Sequence, residues 1–325
     1  MYGKYLKHGI TLIPPKFKDH MSSERYVIGI DLGGTKVEAC LMDSTRNIHS
    51  RHRVLSQPQK GLDQVIRNIQ NVVKAVSKNN HIEAIGMGTP GTYDLSEDLI
   101  YGSPHTRVYE TPGFIGKVRD QFDIPITVEN DANCLALAEY FEHYENKYSF
   151  VIAVIIGTGM GYGLILDKKL YRGVHGGAGE IGHTTVCYQG RKCECGRLGC
   201  AEAYLSGPSQ GRRFHEKTGE KKSLKKIWKL YQEGDPDAVF LFNESCEIMG
   251  QVFANVVNTL DLEAIILGGG VSNIPIWYEK VPPIMKQSFF GPPREVHILK
   301  AKMGDSAGVL GAAYLALREI GEMNF

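Results

Sequence analysis

Two rhythms of apolar residues alternate along the chain. Short runs rich in β-branched residues stand at 26–30 (YVIGI), 37–42, 82–87, 125–129 and 264–267, and these predict strands. Between them Val65, Ile69, Val72, Val73 and Val76 recur every three or four positions, with Gly61 ahead and Asn79 and Asn80 behind, which predicts an amphipathic helix. Further helices are expected from Asn130 through Phe141, over 223–233 and 236–260, and over 306–320 at the end of the chain. The uncharged run 150–166 approaches membrane-spanning length, but four glycines crowd its second half, and a β-hairpin explains it better.

The first hairpin recurs. Setting YVIGIDLGGTKVEACLMD (26–43) over FVIAVIIGTGMGYGLILD (150–167) matches strand, glycine turn, strand and terminal Asp without a gap. Two such hairpins predict an α/β chain made of a duplicated domain pair with a cleft between. Asp31 stands opposite Ile155, so the second turn keeps the shape and loses the charge. The carboxylate at 31 therefore serves something other than the turn.

Composition narrows the partners. A length of 325 residues suggests two domains, each able to bury a core. Lys plus Arg (37) balances Asp plus Glu (36), and no long basic run points to nucleic acid or to a membrane surface. The seven cysteines are odd in number and unevenly spread, with no signal peptide ahead, which favours a reducing cytoplasm. Residues 1–25, with Pro14 and Pro15, read as a poorly ordered lead-in.

Candidate chemistry gathers in GGAGEIGHTTVCYQGRKCECGRLGCAE (176–202). His183, Cys193, Cys195 and Cys200 have spacings that a tetrahedral zinc ion accepts, and Gly196 and Gly199 let the backbone curl to close the site. Buried thiols or a disulfide pair are the other reading, but Cys-x-Cys-x4-Cys beside glycines suits a metal better. Four ligands leave no open position, so the ion would be structural and would stiffen the loop carrying Glu180, His183 and Glu202. Three glycine turns, Gly33-Gly34-Thr35-Lys36, Gly157-Thr158-Gly159 and Gly268-Gly269-Gly270, each end a predicted strand. Any one alone is no more than a turn; together they favour a nucleotide cleft, although the chain has no GxxxxGK[ST] loop. Asp131, at a helix start, reads equally as an N-cap or as a catalytic carboxylate.

Glu180-Ile181-Gly182-His183, followed ten positions later by Cys-x-Cys-Gly-x-x-Gly-Cys-x-Glu, resembles the zinc-containing sugar-site segment of the ROK family of bacterial sugar kinases and sugar-sensing repressors. The resemblance runs from about Tyr26 to the C-terminus and includes every gap between the metal ligands. It implies an actin-like ATPase (ribonuclease H-like) fold, with two duplicated α/β domains around a central cleft: 26–130 joined by the returning helix at 306–325, and 131–305. It implies ATP phosphates at Gly33, Gly34, Thr35 and Lys36 and at Gly157, Thr158 and Gly159, adenosine at Gly268, Gly269 and Gly270, and Mg²⁺ held through water by Asp31. Asp131 would be the general base, kept ionised by the helix dipole, and Gly91, Asn130, Glu180, His183 and Glu202 the sugar contacts. His105 stands where the family usually has Asn. The structural Zn²⁺ ligands would be His183, Cys193, Cys195 and Cys200, and a homodimer is the common assembly. The implied reaction moves the γ-phosphoryl of ATP to the 6-hydroxyl of a hexose, with glucose first and fructose, mannose or N-acetylglucosamine as alternatives. GGGVSN (268–273) and KMGDSAG (302–308) look most like the fructokinase and N-acetylglucosamine kinase branch. A repressor would need a helix-turn-helix domain ahead of the first strand, and some 25 residues are too few for one.

Overall fold

The structure, a computed structural model, describes residues 24–103 and 106–325. The start of the 1–25 lead-in therefore lies outside the described residues, but Arg25 is tied to the fold: its Nε donates to Glu83 at 2.8 Å, and its guanidinium also pairs with Glu322.

β1 (Tyr26–Leu32) and β2 (Lys36–Asp43) form the expected hairpin, and β3 (Ile48–Leu55) extends it. α1 (Leu62–Ser77) then crosses to β4 (Ile82–Thr89), which runs parallel to β1. A ribbon of β5 (Thr92–Asp94) and β6 (Leu99–Tyr101) and a short α2 (Phe114–Arg119) lead to β7 (Ile126–Asn130). α3 (Asp131–His143) passes to the second half. There follow β8 (Phe150–Ile156), β9 (Met160–Leu166) and β10 (Lys169–Tyr171), then α4 (Glu202–Leu205), α5 (Gly207–Thr218), α6 (Leu224–Gln232) and α7 (Pro236–Leu260). β11 (Ala264–Gly268), α8 (Ile276–Gln287), β12 (His297–Lys300) and α9 (Ala307–Glu319) finish the chain.

The two sheets have strand orders β3-β2-β1-β4-β7 and β10-β9-β8-β11-β12. Each places its third, second, first, fourth and fifth strand in that sequence, so the duplication read from the hairpins extends over both halves. The gapless superposition of 26–43 on 150–167 needs a correction. Leu32 pairs with Val37 across Gly33 to Lys36, whereas Ile156 pairs with Met160 across Gly157 to Gly159, a turn one residue shorter. Asp43 accordingly pairs with Tyr26, while Asp167 falls beyond β9 with φ of 52°. A one-residue slip reverses which face every later side chain occupies, and only the turn geometry reveals it. β3 had no apolar signal because it is a largely exposed strand at the sheet edge, rich in His and Arg.

α3 and α9 lie between the sheets, α9 against β1 and β4 and α3 against β8 and β9, so the last helix packs on the first sheet. Glycines make this close layer possible. A Cβ on Gly86 would come within 1.8 Å of the Ala312 carbonyl oxygen, and one on Gly311 within 1.8 Å of that of Cys134. The outer face of the first sheet is covered by α1 and α2, and that of the second by α4 to α8. Among the described residues no helix is long and apolar enough to cross a membrane.

Candidate active site

A cleft of about 600 Å³ opens between the two halves, beside the ends of β4, β7 and β8. Its floor is the junction of β7 and α3. Asn130, not Asp131, is the N-cap: its Oδ1 accepts from the Ala132 N–H at 2.8 Å, while its Nδ2 donates to the Gly91 carbonyl at 3.1 Å. Asp131 occupies the first helical position, so its carboxylate is not consumed in capping. Burial, and next the nearby charge of Asp31, raise this carboxyl from its ordinary range to about 6. Backbone donors at the helix start oppose the shift without cancelling it, and a carboxyl at about 6 is still mostly ionised at neutral pH.

Around this floor the structure sorts the glycine turns expected for nucleotide. Gly34 lines the cleft on one side, and Gly157, Thr158 and Gly159 line it on the other. Gly33, Thr35 and Lys36 belong to the same turn as Gly34, closed by Gly33 N–H to the Lys36 carbonyl at 2.9 Å, without lining the cavity. Asp31 stands behind the wall, beside Gly88 in the sheet and under α9, where a Cβ on Gly308 would approach its Cγ at 2.9 Å. Gly268, Gly269 and Gly270 also lie outside the main cleft but next to the Gly157 turn, since a Cβ on Gly269 would meet the Ile156 carbonyl at 2.5 Å. The Gly207 N–H donates to the Gly157 carbonyl at 2.9 Å, and a second cavity of about 480 Å³ runs from there along α5, lined by Pro208, Gly211, Arg212 and Lys222 among others.

The far wall carries Glu180, His183 and Glu202. Glu202 Oε2 accepts from the Met160 N–H at 2.9 Å, which fixes its orientation. Burial raises the Glu180 carboxyl, with Glu202 adding to the rise and His183 opposing it. His183 turns its two nitrogens to different tasks. Nδ1 lies 3.7 Å from Cys193 Sγ, and Nε2 lies 4.0 Å from Glu180 Oε2. Cys195 and Cys200 Sγ are 3.7 Å apart, and one ligand atom from each of the four residues lies within 4.8 Å of all the others. Zn–S bonds of about 2.3 Å at tetrahedral angles set ligand atoms roughly 3.8 Å apart, so these donors fit the edges of a zinc site. No disulfide joins them, all seven cysteines being free. Gly199 has φ of 78°, and a Cβ there would strike the Cys187 carbonyl at 1.8 Å, which is why glycine closes the cluster.

Gly91 lines the cleft with φ of 80°. His105 lies outside the described residues, but its neighbours Ser103 and Thr106 line the cavity and bond each other through their hydroxyls. Arg107, Glu110, Thr92 and Tyr162 also line it and carried no signal in the sequence, since each reaches the site only through tertiary folding. Glu110 Oε1 accepts from the Ser103 N–H at 2.6 Å and so shapes that wall.

The model of the ROK family matches residues 27–319. An N-acetyl-D-glucosamine kinase from Mannheimia succiniciproducens is 34% identical over 304 residues, spanning 89% of this chain and 98% of the relative. Among solved structures, a ROK hexokinase from Thermus thermophilus superposes with a TM-score of 0.80 at 30% identity, covering 91% of this chain and 99% of that one. A ROK family glucokinase from Streptomyces griseus, in complex with glucose and AMPPNP, superposes with a TM-score of 0.74 at 31% identity, covering 90% and 99%. The paired sheets, the helices between them and the match over nearly the whole described chain lead to one conclusion: this protein belongs to the ROK family and has the actin-like ATPase fold.

Proposed function

We propose that this ATP-dependent sugar kinase phosphorylates the 6-hydroxyl of N-acetyl-D-glucosamine. The observation that carries the reaction is one cleft lined by the Asp131 carboxylate, which does not cap α3, by glycine turns from both halves, and by Glu180, His183 and Glu202. A sugar hydroxyl is far too weak an acid to attack phosphorus unaided, so Asp131 accepts its proton as the O–P bond forms. An elevated carboxyl suits that task, because a base with a value nearer to neutral has a greater pull on the proton.

Asn130, with its Oδ1 and Nδ2 already engaged, keeps the floor in shape and has one donor hydrogen left for a sugar oxygen. Glu180, His183 Nε2 and Glu202 Oε1 pair with adjacent ring hydroxyls, each of which can donate and accept. Phosphates lie against the N–H groups of Gly34, Thr158 and Gly159, the Gly157 N–H being taken by the Gly159 carbonyl at 2.9 Å, and the base and ribose follow Gly268 to Gly270 toward the cavity along α5. Asp31 would hold the magnesium ion, which supplies charge neutralisation at the phosphates. Zn²⁺ at His183, Cys193, Cys195 and Cys200 would fix the tautomer of His183 and so aim Nε2 at the sugar.

N-acetylglucosamine is preferred to the glucose expected from sequence because the curated relatives that align over nearly their full length carry that activity in their names. Coupled ADP release with N-acetylglucosamine, N-acetylmannosamine, glucose, mannose and fructose tests this. The highest kcat/KM is expected for N-acetylglucosamine. A higher value for glucose would remove the sugar assignment and keep the kinase, whereas no ADP release with any sugar would remove both.

A further inference from the structure

Glu129 stands one residue before Asn130 and is 3% exposed. Its Oε1 accepts from the Asn130 N–H and from Asn133 Nδ2, both at 2.9 Å, so one oxygen grips both sides of the turn that presents Asp131. Its Oε2 lies 2.5 Å from Arg172 Nε. That nitrogen is shielded from water and has no directed hydrogen bond among the described residues, so the pairing is ionic, through proximity of charge.

The two partners belong to different halves of the molecule. Arg172 directly follows β10 and opens the segment 173–179, in which Gly173, Gly176 and Gly179 have φ of 72°, 72° and 112°. The Ala178 N–H donates to the Arg172 carbonyl at 3.1 Å and closes the segment into a loop. The loop reaches across the cleft: a Cβ on Gly176 would lie 3.5 Å from Thr92 Cγ2 and 3.7 Å from the Tyr93 carbonyl on β5. It ends where the Gly179 carbonyl accepts from the Tyr162 N–H at 3.0 Å, and the next residue is Glu180. A loop so rich in glycine has little packing of its own to hold its shape.

We propose that Glu129 and Arg172 are positioning residues, whose ion pair ties the Asp131 turn to the base of the Glu180 loop and so sets the spacing between proton acceptor and sugar wall. Neither touches the reactants. The inference rests on the kinase reading for its catalytic consequence, but its structural content, coupling of two segments across the cleft, stands apart from it.

Arg172→Gln, Arg172→Lys and Glu129→Gln in the full chain test it. Glu129→Gln keeps an acceptor for the Asn130 N–H and drops the charge. Arg172→Gln is expected to lower kcat/KM for the sugar about tenfold or more, as small misplacements of reacting groups do. Sugar KM should rise while ATP KM moves less than about twofold, and Arg172→Lys should recover most of the loss. In unliganded protein, amide hydrogen exchange should quicken in both 130–133 and 173–180 for Arg172→Gln and Glu129→Gln. Wild-type exchange in both segments would overturn the proposal, as would equal shifts in the two KM values. Should the wild type phosphorylate no sugar, the exchange result alone decides, so loss of the kinase reading is distinguishable from loss of this one.

Discussion

Replacing Asp131 by Asn should stabilise the fold while abolishing turnover. Burial and Asp31 move this carboxyl from 3.8 in its unperturbed state to about 6. At 1.36 kcal/mol per unit, the ionised carboxylate costs the folded chain roughly 3 kcal/mol at neutral pH. With the folded-state value raised, the proton binds the folded chain more tightly than the unfolded one. That contribution to stability is fully present below the unfolded value and is lost as pH rises through about 6. The wild type therefore carries the whole penalty above pH about 6, and Asp131→Asn does not. Urea denaturation at pH 7.5 and 4.5, without nucleotide or added magnesium, measures this. The variant should be more stable at pH 7.5 by about 3 kcal/mol, and its advantage should shrink by roughly 2 kcal/mol at pH 4.5. Sugar-dependent ADP release should fall by a factor on the order of 10² to 10⁴. A variant no more stable at pH 7.5, or an advantage that does not change with pH, would refute the electrostatic strain; retained turnover would refute the role as base.

In the wild type, sugar-limited kcat/KM should fall toward tenfold per pH unit below about 6, as Asp131 protonates, and a profile flat down to pH 5 would contradict its assignment. Elemental analysis of fresh protein should find about one zinc per chain. Cys200→Ser should lose the metal, lower the melting temperature and raise sugar KM with ATP KM unchanged, whereas a wild-type zinc content near zero would remove the metal argument. Gly311→Ala puts a methyl 1.8 Å from the Cys134 carbonyl oxygen, so α3 and α9 must separate. A loss of about 3 kcal/mol or more by urea denaturation, or failure to fold, is expected, and near-normal stability would show that this layer is looser than it looks.

Much of the candidate site was legible because its chemistry is concentrated in short stretches. The four donors from His183 to Cys200 span few residues, and their spacing and flanking glycines alone restrict the geometry they can adopt. The buried strands and α7 were visible from apolar runs and helical periodicity, because burial on both faces or along one stripe leaves a direct mark on composition. The edge strand β3 and the slip between the two hairpin turns left no such mark, since solvent exposure and register are properties of pairing partners.

By itself the sequence determined the set of His183, Cys193, Cys195 and Cys200 that the fold gathers, the repeated strand, turn and strand unit, and the presence of an Asn-Asp pair at a helix start. Tertiary structure alone decided which of that pair caps α3 and which is left out of the cap, because the answer depends on the Gly91 carbonyl taking the Asn130 amide. It alone set the elevated proton affinity of Asp131, which arises from burial and from Asp31, a hundred residues earlier in the chain. The Glu129 and Arg172 pairing across the cleft is of the same kind. Electrostatic coupling depends on distance in space and on the exclusion of water, and neither is written in the order of residues.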